Sequence, residues 1–263
     1  MASPTSFSDL MRACSEEPGR ATVVVPEDWM QGRSVFGGLQ AAIALRAMRT
    51  VVGDVPLRTV QATFVAPVPH GPVTAEAKVL RTGKSASHVE ARIIDGSTTL
   101  AIVIGAFGAA RKSIVEVVPP RRAVEEGEGV VFPYIAGLTP SFTQHFAARF
   151  LRGALPFSRT SEREMVVEVA MREEGFTSEA HVLALADFIP PVALAHLDAP
   201  APGSTLTWML EVLAPRVDDL PLSGWRVDAE LVAARDGYTS QSVMLWCGDR
   251  PVAVSRQSML VFG

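Results

Sequence analysis

The sequence GGLQAAIALRAMRTVV, residues 37–52, decides the fold. Its apolar residues recur at helical spacing, two glycines open it and Gly53 follows it, which predicts a long and mostly apolar helix. Four strand-like segments bounded by turn residues come next, at 57–66, 72–81, 86–94 and 98–108. One apolar helix followed by consecutive strands predicts an α+β architecture in which an antiparallel sheet wraps around the helix.

The same order of elements recurs in the second half of the chain. A helical apolar stretch is predicted at about 177–197, and strands near 204–214, 225–234, 239–247 and 251–262. A single copy would leave a sheet edge unpaired. We therefore predict two such units, residues 1–111 and 141–263, that form one continuous sheet and are joined by a linker at 112–140, which is rich in Pro, Gly and charged residues.

Composition and charge exclude several classes of protein. The chain has 263 residues, of which 48% are hydrophobic and 20% charged, and its net charge is −4. The absence of a basic stripe argues against nucleic-acid binding, and the longest apolar stretch is about half the length of a membrane-spanning helix. Two cysteines and no secretory signal predict a cytoplasmic protein. Apolar residues on exposed sheet faces favour a homo-oligomer.

Two motifs resemble functional signatures but lack a required residue. Residues 82–85 look like the end of a phosphate-binding loop, yet Lys78 stands where that loop needs its first glycine. Residues 32–37 miss the Gly-x-Ser-x-Gly pattern of a serine nucleophile by one position. The five histidines show no metal-ligand spacing, so we predict neither a metal site nor a cofactor.

Asp187 is the most informative polar residue. It is the only polar side chain in VLALADFIPPVALA, residues 182–195. An unpaired carboxylate in such surroundings is costly and tends to take up a proton, so a partner or a function is expected. The alternative is a structural role as the N-cap of a helix that restarts at Phe188, and the two roles are compatible.

Partners for this carboxylate are expected on the strands that face the helix. Alternation in 204–213 places Thr205, Thr207 and Met209 on one face, so either threonine is a candidate hydroxyl group. On the last strand, Gln257 is an amide in a row of otherwise small or apolar residues. The alternative for Gln257 is an ordinary exposed strand residue.

Several stretches, in their order and spacing, resemble the bacterial type II acyl-CoA thioesterases, whose fold is a double hotdog with two helix-in-sheet units in one chain. They are LRTVQATFVAPVPHGPV (57–73), VLRTGKSASHVEARI (79–93), ALADFIPPVAL (184–194), STLTWMLEVLAP (204–215) and AVSRQSMLVFG (253–263). The resemblance implies hydrolysis of acyl-CoA thioesters to the free acid and CoA, with Asp187, Thr205 and Gln257 as the catalytic residues.

The sequence departs from the family pattern after the threonine. The loop between Asp187 and Thr205 is short, and Thr207-Trp208 replaces the usual Asp-His pair, so Thr205 and Thr207 both stay open as the catalytic hydroxyl group. The first half lacks the polar set, which predicts one active site per chain where the halves meet. The residues expected to bind the substrate are Gly37, Gly38, Phe64, Thr207 and Trp208, with Gly38 near the oxyanion.

Two other functions stay open. A hydratase acting on enoyl thioesters has a related fold but uses an Asp-His pair, and no histidine accompanies Asp187 in such a motif. A protein that binds acyl thioesters without hydrolysing them is the other alternative. Release of free CoA from an acyl-CoA distinguishes hydrolysis from both.

Overall fold

The structure is a computed structural model that describes residues 4–124 and 127–262. Two acidic residues of the predicted linker, Glu125 and Glu126, lie outside the described residues, as do residues 1–3 and 263. The described part contains helices α1 Phe7–Ala13, α2 Gly37–Val52 and α3 Glu179–Ala186, with 3-10 helices at Glu27–Trp29, Ser141–His145 and Val192–His196. The predicted helix at 37–52 is therefore confirmed.

The strands fall into two sets, one in each half of the chain. The first half contains β1 Ser15–Glu17, β2 Arg20–Val25, β3 Met30–Gln31, β4 Ser34–Val35, β5 Leu57–Phe64, β6 Gly71–Thr82, β7 Ser87–Asp95 and β8 Thr98–Phe107. The second half contains β9 Val130–Phe132, β10 Phe146–Arg152, β11 Glu164–Met171, β12 Gly203–Val212, β13 Trp225–Arg235, β14 Tyr238–Cys247 and β15 Arg250–Val261.

One sheet runs through both halves. Within the described residues it has 13 strands, in the order β1-β2-β6-β7-β8-β5-β12-β15-β14-β13-β11-β10-β9. The halves join where β5 pairs antiparallel with β12, so that Ala62 lies opposite Trp208 and Val60 opposite Leu210. The predicted continuous sheet is thus confirmed, and its two free edges are β1 and β9.

The two main helices, α2 and α3, pack against each other in opposite directions. At one end, a Cβ atom on Gly38 in the first turn of α2 would lie 2.9 Å from the Cα atom of Ala184 near the end of α3. At the other end, the guanidinium group of Arg49 in the last turn of α2 binds the carboxylate of Glu179 in the first turn of α3. This antiparallel packing brings the start of α2 to the end of α3.

The second predicted helix, at about 177–197, is shorter in the structure. Helix α3 ends at Ala186, and a 3-10 helix begins at Val192 after a non-helical segment. Pro190 and Pro191 explain the break, because proline has no backbone N–H and its ring clashes with the preceding helical turn. The interruption leaves Asp187 at the end of a buried helix.

The eight strands predicted after the two helices agree with β5–β8 and β12–β15 to within two residues at each end. Helix α1 and strands β2, β10 and β11 were not predicted. The predicted linker at 112–140 has little regular structure, but its residues 130–132 form β9, which pairs with β10. The boundaries at 111 and 141 therefore stay predictions.

Candidate active site

Asp187 is buried where α3 ends. It is the C-cap residue of the helix, its backbone N–H donates to the carbonyl oxygen of Leu183 at 3.2 Å, and the residue is 8% exposed. The hypothesis that Asp187 is the N-cap of a helix restarting at Phe188 is wrong, since no described helix begins there. The carboxyl group is therefore free to bind side chains of the sheet.

Two glutamines connect this carboxyl group to the sheet. The Nε2 atom of Gln257 on β15 donates to Oδ1 of Asp187 at 2.6 Å. The Nε2 atom of Gln241 on β14 donates to Oε1 of Gln257 at 2.6 Å, and the backbone N–H of Val192 donates to Oε1 of Gln241 at 3.0 Å. Because each acceptor oxygen is occupied, the amide of Gln257 is held with its nitrogen toward Asp187.

Gln241 is a site residue that the sequence analysis missed. It is 1% exposed and lies opposite Gln257 in the pairing of β14 with β15. The signal that could have identified it is its place in the alternation of β14, where it shares the buried face with Val243 and Leu245. Gln257, by contrast, was expected, and at 2% exposure it is not an ordinary surface residue.

Burial raises the pKa of Asp187 to about 7, against the opposing effects of the Gly38 backbone and the Gln257 amide, which both lower it. Burial dominates because the ionised form loses its hydration. A carboxyl group with a pKa near neutrality is suited to accept a proton from water, because the ionised form is populated and is more basic than an ordinary aspartate.

The start of α2 closes around this carboxyl group and leaves no space for a side chain. A Cβ atom on Gly37 would lie 2.7 Å from Oδ2 of Asp187 and 3.2 Å from Cζ of Phe64. The first N–H groups of a helix have no acceptor within the helix and attract negative charge. The structure therefore brings Gly37, Gly38 and Phe64, all expected at the substrate, next to Asp187.

A β-bulge decides which threonine faces the site. In the pairing of β12 with β15, Thr205 lies opposite Met259 and Thr207 opposite Ser258, which leaves Leu206 without a partner. Met259 is buried and two residues from Gln257, so Thr205 is on the inner face, whereas Thr207 is exposed on the outer face. The expectation that both threonines share a face is wrong because the extra residue shifts the alternation.

Thr205 and Trp208 occupy different positions relative to the carboxyl group. Thr205 is partly exposed, and in the part of the chain that the structure describes its hydroxyl group makes no hydrogen bond to Asp187 or Gln257. Trp208 lies directly opposite Gln257 and is 1% exposed. The structure thus places Trp208 beside the glutamine and leaves the threonine hydroxyl group accessible.

A second cluster, near the N-terminus, has the residue types of a serine hydrolase but not their arrangement. Nε2 of His181 lies 3.1 Å from the hydroxyl group of Ser8, and Nδ1 accepts the backbone N–H of Ser178 at 3.1 Å. Burial lowers the pKa of His181 to about 4, so the ring is neutral and carries its proton on Nε2. It therefore donates to Ser8 and does not act as a base toward it.

Other kinds of site are not supported by the described residues. Residues 4–124 and 127–262 contain no group of three or more His, Cys, Asp or Glu side chains that could hold a metal ion. Among the described helices, none combines the length and the apolar character needed to cross a membrane.

Comparison with solved structures identifies the fold. A protein of unknown function with a hot dog fold from Alicyclobacillus acidocaldarius is 20% identical, with a TM-score of 0.87 over 97% of both chains. The tesB protein of Mycobacterium avium subspecies paratuberculosis is 13% identical, with a TM-score of 0.78, 98% of this chain and 100% of that chain being covered. An acyl-CoA thioesterase II of Mycobacterium marinum is 15% identical, with a TM-score of 0.69 and coverages of 96% and 95%. The predicted double hotdog is confirmed.

Comparison with protein families covers most of the sequence. The acyl-CoA thioesterase N-terminal domain matches residues 25–108, and the acyl-CoA thioesterase C-terminal domain matches residues 118–261. No curated protein matches the chain. The two domain matches together span both halves of the sheet and the candidate site, and the chain therefore belongs to the acyl-CoA thioesterase family of thioester hydrolases.

Proposed function

We propose that Asp187 is the general base that activates water for the hydrolysis of acyl-CoA thioesters to the free acid and CoA. The observation that carries the proposal is a buried carboxyl group with a pKa of about 7, held by Gln257 beside the glycine-rich start of α2. A base with a pKa near neutrality accepts a proton effectively at neutral pH.

In the proposed reaction, the water oxygen attacks the thioester carbonyl carbon while one water proton passes to the Asp187 carboxylate. The resulting tetrahedral intermediate carries its negative charge on the former carbonyl oxygen. Its collapse breaks the carbon–sulfur bond, and the thiolate of CoA leaves and takes up the proton held by Asp187, which returns to its ionised form. The products are the free carboxylic acid and CoA.

Gln257 and Thr205 have complementary parts in this scheme. One N–H of the Gln257 amide is engaged with Asp187, so its second N–H is available for the attacking water. Thr205 is on the inner face and partly exposed, and its hydroxyl group serves as a second contact for that water. Gln241 is a positioning residue, because it acts through the amide of Gln257.

The start of α2 supplies the donors for the oxyanion. The N–H groups of its first turn have no acceptor within the helix, and glycine allows an acyl carbonyl group to approach the backbone closely. The Gly38 backbone N–H already donates to Asp187, whose pKa it lowers, so we assign the oxyanion to the N–H of Gly37, next to Gly38. Phe64 and Trp208 line the acyl group, whereas Thr207 points away from the site and is left out.

A single turnover in water enriched in oxygen-18, with enzyme in excess over acyl-CoA, tests this mechanism. General-base catalysis predicts that the first molecule of acid carries the heavy isotope and that Asp187 carries none. Heavy isotope in Asp187 would show that the carboxylate attacks the thioester itself. Absence of CoA release from all acyl-CoAs tested would instead favour a binding protein.

We also propose that the protein acts on acyl groups of fatty-acid metabolism in the cytoplasm, as a homo-oligomer. Both cysteines are free thiols, as a reducing compartment requires. Of the two sheet edges, β1 has two glutamates that would repel a second copy, whereas β9 exposes Val130 and Val131 and has no charge. Pairing of β9 with a second copy is therefore favoured. Light scattering of Val131→Lys should show the monomer mass if this edge is the interface, and an unchanged mass would exclude it.

A further inference from the structure

Two buried polar atoms on the inner face of the sheet lack a hydrogen-bond partner next to the proposed active site. They are the indole Nε1 of Trp208 and the hydroxyl Oγ of Ser255, in residues that are 1% and 5% exposed. Neither finds a partner among the described residues. Buried polar groups in folded proteins are nearly always satisfied. Other buried atoms of the described residues, such as Nε1 of Trp246, also lack a partner, but these two are neighbours of Gln257, and this position beside the site points to a group that is bound there.

The strand register places both residues around Gln257. Trp208 lies directly opposite Gln257 in the pairing of β12 with β15, and Ser255 precedes Gln257 by two residues on the same face of β15. Trp208 and Ser255 are therefore diagonal neighbours, a relationship that places side chains within reach of one group between them. Gln257 itself binds Asp187, so this group would lie beside the reacting thioester.

The first half of the chain shows that the fold does not require these polar groups. In the equivalent rows of the sheet, Val60 stands where the second half has Trp208, and Val103 stands where it has Ser255. Both valines are buried, at 1% exposure each. Apolar side chains thus satisfy the packing at these positions, and the polar atoms occur only in the half that carries Asp187.

We propose that Trp208 and Ser255 are specificity residues that bind an oxygen substituent on the acyl group of the substrate. This inference rests on the proposed hydrolysis and names its substrate class: acyl-CoAs with a hydroxyl or keto oxygen close to the thioester. The indole N–H donates to that oxygen. The serine hydroxyl group accepts from a substrate hydroxyl group or donates to a keto oxygen.

The test compares acyl-CoAs of equal chain length. We expect kcat/KM for 3-hydroxybutyryl-CoA or acetoacetyl-CoA to exceed that for butyryl-CoA by about tenfold, as a satisfied buried donor pair predicts. Trp208→Phe and Ser255→Ala should each lower this ratio several-fold, whatever they do to the absolute rates. A purely structural role would change the rates on all three substrates equally.

A matched control is Trp246→Phe, which removes another buried indole N–H without a partner. Trp246 lies opposite Arg226 on β13, on the face covered by Arg121, away from Asp187. Its replacement should leave the ratio unchanged. A ratio near one in the unmodified protein, or one that Trp208→Phe and Ser255→Ala do not lower, would overturn the proposal.

Binding measurements separate this inference from the proposed hydrolysis. Non-hydrolysable thioether analogues of butyryl-CoA and 3-hydroxybutyryl-CoA report the same preference as a ratio of Kd values without turnover. A preference in Kd without CoA release would contradict hydrolysis and support the pocket. Release of CoA from butyryl-CoA without any preference would support hydrolysis and contradict the pocket.

Discussion

The two halves of the sheet follow the same path but place different chemistry at equivalent positions. Both β8 and β15 follow a turn glycine with φ of +56°, Gly96 and Gly248, and Gly105 and Gln257 stand at the same distance after it. Gly105 pairs with Val89, whereas Gln257 pairs with Gln241. The row that is apolar in the first half thus carries two amides in the second half.

Each half also has a β-bulge at the equivalent position of its sheet. Arg58 is unpaired where β5 pairs with β8, and Leu206 is unpaired where β12 pairs with β15. The bulge places Leu57 on the inner face of the first half and Thr205 at the matching position of the second half. Equal backbone geometry therefore supports an apolar residue in one half and a hydroxyl group in the other.

The helices complete the contrast. A Cβ atom on Gly105 would lie 2.8 Å from Sδ of Met48 on α2. In the first half, this thioether therefore occupies the position that is equivalent to that of Asp187 beside Gln257 in the second half. The first residue of α2 is Gly37, which leaves room for Asp187 at the end of α3. The first residue of α3 is Glu179, which instead binds Arg49 near the end of α2. A few side chains, and not the fold, distinguish the half that carries Asp187 and Gln257 from the half that has apolar residues at the equivalent positions.

The largest expected effect comes from removing the carboxylate that distinguishes the two halves. Asp187→Asn keeps an oxygen acceptor for Gln257 but removes the base, so kcat should fall about a thousandfold, within the range for general bases. Steady-state release of CoA measures the change. A loss of only a few-fold would remove Asp187 from the mechanism. Titration with a tight analogue should also give one site per chain, and two would contradict the asymmetry.

The next largest effect is expected from the close contact between Gly37 and Asp187. In Gly37→Ala the new Cβ atom collides with Oδ2 of Asp187, which displaces the base, and we expect kcat/KM to fall about a hundredfold. Gly127→Ala is the matched control, because no atom of the described residues lies within 4 Å of its Cβ position. Equal activity of the two variants would show that the close contact at Gly37 has no role.

The amides should affect the pH dependence. If Asp187 is the base, kcat/KM rises with pH until its pKa of about 7 is passed and is then constant. Gln257→Leu removes a donor that lowers this pKa, so the midpoint should move upward and the rate at neutral pH should fall about tenfold. A lower rate with an unchanged midpoint would show that Gln257 contacts the substrate without tuning the carboxyl group.

The buried carboxyl group should also cost stability. Folding raises its pKa from 3.8 to about 7, so below pH 4 the group is protonated in both states and costs nothing. As the pH rises from about 4 through 7, only the unfolded state ionises readily, and the folded state loses stability. Asp187→Asn should therefore increase the free energy of unfolding by up to about 4 kcal/mol at pH 8.5, which is seen as a higher Tm, and have little effect near pH 4. A pH-independent Tm difference would indicate that the pKa of the Asp187 carboxyl group is not raised in the folded protein.

Local sequence patterns were sufficient for the strands but not for the site's finer geometry. Alternation and turn residues located β5–β8 and β12–β15, because both signals act over a few neighbouring residues. The bulge at Leu206 depends on how β12 pairs with β15, which is distant in the sequence, so alternation along β12 alone assigned Thr205 and Thr207 to one face. Such a shift is not visible in one strand.

The sequence predicted the charged residue of the candidate site, Asp187, but not every side chain that holds it. Asp187 was identifiable because a carboxylate in an apolar run is costly without a partner. Alternation along β14 marks Gln241 only as a polar residue on the buried face, and its link to Asp187 through Gln257 depends on the pairing of β14 with β15. The end of α3 was misplaced because apolar spacing continues past Pro190, although the proline ring ends the helix.

The smallest expected effect comes from the ion pair between α2 and α3 at the end of these helices away from Asp187. Glu179 accepts hydrogen bonds from Arg49 and from the backbone N–H of Leu57 at 2.9 Å, and both charged side chains are about three-quarters buried. Glu179→Gln keeps some of these contacts but leaves the guanidinium group without its counter-charge. We expect a loss of about 1–2 kcal/mol in the free energy of unfolding, with kcat within twofold of the unmodified protein. Urea denaturation and CoA release measure the two quantities. A large fall in kcat at unchanged stability would contradict this purely structural role, which we assign to Glu179 because it lies at the end of α3 opposite to Asp187.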